Sequence, residues 1–91
     1  MATLIKTDGT IEEINPKNGT DFQLEELQKY VDGNIEIIDL RNGEILVANE
    51  DGKDRYETNR AATQLAHDNR ALFGWDWIDG DVVHCKTEEV K

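Results

Sequence analysis

The pairs Asp8-Gly9, Asn42-Gly43, Asp51-Gly52 and Asp79-Gly80 constrain this chain more than any other feature, because each can supply the positive backbone angles of a tight turn. Where β-type residues stand on both sides, such a turn joins two antiparallel strands. "TLIKT" and "TIEEI" flank the first pair, "IEIIDL" and "EILVAN" the second, and "WDWI" and "DVVHC" the fourth. These three read as hairpins or tight turns, for which the type I′ geometry is available. The third pair lies in "NEDGKDRYE", where charged residues follow it, and reads as a loop.

Helical spacing appears twice. Leu24, Leu27 and Val31 repeat at i, i+3 and i+7, and Gly33 stands where a left-handed C-terminal cap would end that helix. Ala62, Leu65, Ala66, Leu72 and Phe73 form a second stripe, with Thr58 or Asn59 as N-cap and Gly74 as its stop. The expected fold is α+β, one small domain over residues 1–91 with a mainly antiparallel sheet of about five strands and two helices, in the order ββαββαβ. "IEIIDL" and "EILVAN" carry apolar residues on both faces and read as central strands, whereas "TIEEI" reads as an edge.

Composition narrows the function. Twenty acidic against ten basic residues give a formal charge of −10, a field that repels nucleic-acid phosphates and anionic lipids and attracts basic protein surfaces. Direct nucleic-acid binding is not expected. A single cysteine cannot form an internal disulfide, the start "MATLIKTDG" lacks the apolar core of a signal peptide, and the run "ILVA" is far shorter than the roughly 20 residues that cross a bilayer. A cytoplasmic protein outside the membrane is expected.

No catalytic constellation is complete. The chain contains no serine, and the neighbours His84 and Cys85 would point to opposite faces of a strand, so a thiol nucleophile would need His67 brought in by tertiary folding. There is no C-x-x-C, and the acidic turns lack the carboxylate spacing of a calcium loop. The expectation is therefore no enzyme, no metal and no cofactor. "GWDWIDGDVVHC" is read in the same way: cross-strand packing accounts for Trp75 and Trp77 as core or edge-covering residues, and its aspartates suit a turn.

The segments L-E-E-L-Q-K-Y-V-D-G-N-I-E (Leu24 to Glu36) and V-A-N-E-D-G-K (Val47 to Lys53), followed by Asn59, resemble the uncharacterised family called domain of unknown function 3846. Gly80-Asp81-Val82-Val83 extends the likeness, and Gln23 stands where the family often has a capping serine. The resemblance implies a product of phages, plasmids or the bacteria that carry them, found among antirestriction and accessory genes. No activity defines the family.

Together these features predict a protein that acts by binding, an accessory inhibitor of a host defence system of the anti-CRISPR or antirestriction type. Its partner would be a protein with a basic surface, a nucleic-acid-binding defence protein among the candidates. The expected contact residues are Asp51, Asp54 and Glu57 in one loop and Asp76, Asp79 and Asp81 in the other. Mimicry of DNA would demand that these charges reproduce the spacing of a duplex, which net charge alone does not do. The alternative is a sponge for a nucleotide signal, with a basic pocket drawn from Lys53, Arg55, Arg60 or Arg70.

Overall fold

Alternating apolar residues build five strands: β1 (Ala2–Ile5), β2 (Ile11–Ile14), β3 (Ile35–Asp39), β4 (Glu44–Asn49) and β5 (Val82–Lys86). The two helical stripes become α1 (Leu24–Val31) and α2 (Arg60–Asp68), and a 3-10 turn follows at Thr87–Glu89. The computed structural model describes residues 2–53 and 55–90. The strands form one antiparallel sheet in the order β2-β1-β5-β4-β3. An α+β domain in the order ββαββαβ is thus what the chain forms.

The two-residue period of the strands separates two cores. On one face Leu4, Ile45, Val47, Val83 and Cys85 meet Leu27 and Val31 of α1, with Phe22 completely buried beside them. On the other face Ile5, Leu46, Ala48 and Val82 meet Ala62 and Ala66 of α2. Ala62 and Ala66 are completely buried in this contact. Each large side chain buried in this way, such as Leu27, contributes about 1.5–3 kcal/mol through loss of apolar surface from water.

Several local expectations change. β4 is central and buried, but β3 is the outer strand of the sheet, and Ile37 is 49% exposed. A doubly apolar strand need not be covered on both sides. None of the four Asx residues at the turns has a positive φ, so none of these turns is type I′. At Asp8-Gly9 the Gly9 N–H donates to the Lys6 carbonyl at 3.0 Å, the Lys6 N–H donates to Thr10 at 2.9 Å, and Gly9 alone takes φ +90°. That is a longer hairpin with its glycine at the bulge. Asp79-Gly80 joins no hairpin, because Trp75 to Ile78 do not form a strand and Asp79 instead bridges to Thr58.

The helix ends differ as well. Asp32, not Gly33, takes the left-handed cap of α1 at φ 61°, with its N–H on the Gln28 carbonyl. Its start is secured by Glu26, a buried carboxylate whose Oε1 accepts the Gln23 N–H at 3.2 Å and whose Oε2 accepts the Lys17 N–H at 3.1 Å. Asn59 is the N-cap of α2, its side chain accepting the Ala62 N–H at 3.0 Å. That helix stops at Asp68, well before Gly74, because Arg70 turns left-handed at φ 56°. Leu72 and Phe73 therefore lie outside it. Among the described residues no helix is long and apolar enough to cross a membrane.

Candidate functional site

The polar residues of α2 hold the segment that follows it. Asn59, Thr63 and His67, four residues apart, lie along one face of the helix. The Asn59 N–H donates to the Ile78 carbonyl at 2.8 Å, Thr63 Oγ1 accepts the Ile78 N–H at 2.9 Å, and His67 Nε2 is 2.8 Å from the Asp76 carbonyl. A carbonyl can only accept, so Nε2 is the protonated nitrogen of His67. These bonds fix Asp76 to Ile78 against the helix.

The Asp51-Gly52 turn reaches the same segment from the other side. A Cβ on Gly52 would stand 3.0 Å from the Asp79 carbonyl oxygen and 3.2 Å from that of Asn49, so only glycine lets the two backbones approach so closely. Asn49 secures the turn: its Oδ1 accepts the Asp51 N–H at 2.7 Å, and its Nδ2 donates to the Val31 carbonyl at 2.9 Å.

Between the turn and the segment lies a cleft of about 400 Å³. Ile38, Ala48, Leu72 and Ile78 give it apolar walls, Glu36, Glu50, Asp51 and Asp76 give it carboxylates, and Trp77 and the buried Asp79 complete the lining with Lys53 and Asn49. Lys53 pairs with Asp76 and places its ammonium 4.7 Å from the centre of the Trp77 ring. The hydrogen bond from Lys53 holds the Asp76 carboxyl below the usual carboxylate range, against the opposing effect of burial.

The five described residues among those expected to bind a partner are divided between two concavities. Asp51, Asp76 and Asp79 line this cleft, whereas Glu57 and Asp81 line a second concavity of about 310 Å³ with Tyr56 and Asp32. Asp81 is half-buried there and accepts the Thr7 N–H at 3.1 Å, and Tyr56 donates to Asp32 at 3.0 Å. Asp54 lies outside the described residues. Sequence reasoning did not find Glu36, Glu50 or the helix-borne Thr63, and it considered His67 only as the partner of a thiol nucleophile. The polar face of α2 at intervals of four was the available signal.

The tryptophans are not core residues. Trp75 is 77% exposed and Phe73 67%, and their rings stack with centroids 4.8 Å apart and an angle of 2° between the planes. Because residues 75–78 are not paired as a strand, no opposite strand covers them. The apolar pair stands on the surface beside the carboxylate cleft, of which Asp76 is a wall.

The thiol lies elsewhere. Cys85 is buried in the core on the α1 face, whereas His67 belongs to α2 on the opposite face, so the fold does not bring the two into one site. Burial, with the nearby carboxylates of Glu89 and Glu44, pushes the Cys85 thiol up to about 12. Among the described residues no three side chains of His, Cys, Asp or Glu converge as metal ligands.

The family model described as Domain of unknown function (DUF3846) matches residues 1–91, the whole chain. The chain belongs to this family. No curated protein and no solved structure matches it. Two elements of the family resemblance acquire a physical meaning here. Asn49 secures the N-E-D-G-K turn that forms one wall of the cleft, Gly52 lets that turn approach the Asp79 backbone, and Asn59 caps the helix that holds the other wall.

Proposed function

We propose that the protein is a non-enzymatic binding domain that engages a basic protein surface through the face bearing the cleft and the Phe73–Trp75 pair. The observation that carries this reading is the placement of two exposed, stacked aromatic rings beside a cleft walled by Glu36, Glu50, Asp51 and Asp76. Exposed aromatics next to charge are the composition of an interface centre, and the carboxylates select a cationic partner. Together with the setting implied by the family resemblance, this supports an accessory role for a phage or mobile element, as an inhibitor of a host defence protein that itself handles nucleic acid.

A fluorescent arginine-rich nonapeptide tests the reading. Glu36, Glu50 and Asp51 changed to Lys should abolish binding, while the same charge change at Glu12, Glu13 and Glu88, of which the first two lie on the opposite edge strand, should weaken it only slightly. Equal losses in the two triple variants would mean that only net charge matters. Capture from a bacterial lysate at low and at high salt then identifies the natural partner.

One observation favours the nucleotide-sponge reading. Lys53 is engaged with Asp76, and Arg55 lies over its neighbour Tyr56, but Arg70 lines a shallow hollow with Arg41 and Phe73, in which the one carboxylate is the Asp76 already paired with Lys53. The two arginine-bearing turns are tied together by Asn42 Nδ2 on Asn69 Oδ1 at 3.3 Å. A nucleotide panel in thermal melts, repeated with Arg41→Ala and Arg70→Ala, separates this reading from the first. A stabilising shift of several degrees that both variants abolish would favour the sponge.

A further inference from the structure

We infer that the cleft between the Asn49–Lys53 turn and the Asp76–Asp79 segment is a receptor for one arginine or lysine side chain of a protein partner, and that Lys53 fills it in the partner's absence. The inference deepens the proposed function and rests on it.

The cleft has the chemistry of such a side chain turned outside in. A long cationic side chain has an aliphatic stem and a charged head. Here Ile38 and Leu72 offer apolar wall to a stem, while Asp76 and the face of Trp77 receive a head. Its volume of about 400 Å³ falls within the range of real ligand sites.

The chain itself shows what the cleft accepts. The Lys53 ammonium sits over Trp77 and against Asp76, an arrangement that joins cation–π attraction to an ion pair in one place. Yet Lys53 enters from a turn at the rim and remains half exposed. An ion pair so open to water holds weakly and yields to a better cation. Lys53 also leaves Glu36, Glu50 and Asp51 unanswered as a group, since one cation faces several carboxylates among the lining residues. A guanidinium would do more than this ammonium: its plane stacks on the indole while its fork bonds a carboxylate through two N–H groups. Arginine should therefore bind better than lysine.

The test uses the whole chain with Trp75→Phe, so that Trp77 is the sole tryptophan reporter, and Nα-acetyl-arginine amide as the probe. Fluorescence of Trp77 should report saturable binding, at least five-fold tighter when Lys53→Met removes the internal occupant. Nα-acetyl-lysine amide should bind more weakly, and Nα-acetyl-citrulline amide, which keeps the shape and loses the charge, should not saturate. Asp76→Asn in the Lys53→Met background should cost at least ten-fold, with thermal melts confirming that each variant is folded.

Equal affinity with and without Lys53, or equal binding of citrulline and arginine amides, would overturn the inference. The indole N–H shift of Trp77, followed by NMR in the unaltered protein, tests the same point without any substitution: a saturable shift with arginine amide supports the receptor, and none at high millimolar probe rejects it. Failure here with patch-specific binding of the arginine-rich peptide intact would remove the single-side-chain receptor and leave the broader reading standing. Failure of the peptide to bind would remove the broader reading directly.

Discussion

Asn59 Nδ2 donates to the carbonyl of Ile5 at 2.9 Å, a bond across 54 residues that ties the start of α2 to the end of β1. The same nitrogen donates to Gly80 at 2.8 Å, and Oδ1 caps the helix through Ala62 at 3.0 Å. All of this happens with Asn59 fully buried. Asn59→Ala removes the cap and strands two carbonyls away from water, so urea denaturation should show a loss of about 2–4 kcal/mol. Asn59→Asp keeps the acceptor for Ala62 but points an oxygen at two carbonyls. It should be at least as damaging, and an aspartate tolerated within about 0.5 kcal/mol would show that the donors contribute little.

Cys85 predicts an alkaline weakness. Its thiol has a folded value near 12 against 9.0 for a free thiol, so above pH 9 the unfolded chain releases a proton that the folded chain retains. The folded state then binds more protons, and stability falls as pH rises through that window, approaching a slope of about 1.4 kcal/mol per pH unit. The slope should end above about pH 12, and Cys85→Ala should remove this share of it. Native protein at pH 8 should resist a thiol reagent that labels the unfolded chain at once. Rapid native labelling would contradict the burial of the thiol.

Gly52 is predicted to be irreplaceable for a steric reason. Its missing Cβ would fall 3.0 and 3.2 Å from two backbone oxygens, neither of which can swing aside as the end of a side chain could. Gly52→Ala should cost about 1–3 kcal/mol and move the Asp51 wall away from Asp79. Weaker binding of the arginine-rich peptide by the folded variant is the expected second sign. Full stability with full binding would show that the two walls are free to shift.

The same contact marks the limit of what the sequence discloses. Strand and helix periods were legible because they are local: Ile45 and Val47 against Leu46 and Ala48 do fall into two cores. The edge position of β3 was not, since Ile35, Ile37 and Ile38 look alike whether or not another strand lies beyond them. Trp75 and Trp77 misled for a related reason. Aromatic spacing of two suits a strand, but pairing depends on a partner, and α2 claims this segment through Asn59, Thr63 and His67. Asp51, Asp76 and Asp79 were visible as acidic turn residues. That Gly52 would seat the first beside the others, with Glu36 joining from β3, is a tertiary fact.

Asp76 should give the cleft an acid limit. The Lys53 hydrogen bond lowers its folded pKa below the model-compound value of 3.8, so the unfolded chain takes up a proton first as the solution is acidified. The stabilisation is complete above pH 3.8 and disappears as pH falls through the lower folded value. Melts from pH 6 down to pH 2 should show this loss. Lys53→Met should shrink it, and an unchanged acid limb would show that the pair adds nothing to folding.

Phe73 and Trp75 allow folding and binding to be told apart. At 67% and 77% exposure neither side chain fills the core, so alanine at either position should alter stability by less than about 0.5 kcal/mol. Their stacking, at 4.8 Å between centroids, leaves a continuous aromatic surface facing water. Against a partner that surface would be covered, and its loss should then weaken binding of the arginine-rich peptide at least ten-fold, or about 1.4 kcal/mol. Neither Phe73 nor Trp75 lines the cleft, so the affinity of arginine amide should be unchanged by Trp75→Ala. A substitution that spares folding and the amide but abolishes the peptide places the aromatic pair in the interface. If the peptide also binds as before, the exposed rings have no part in recognition and the cationic cleft acts alone.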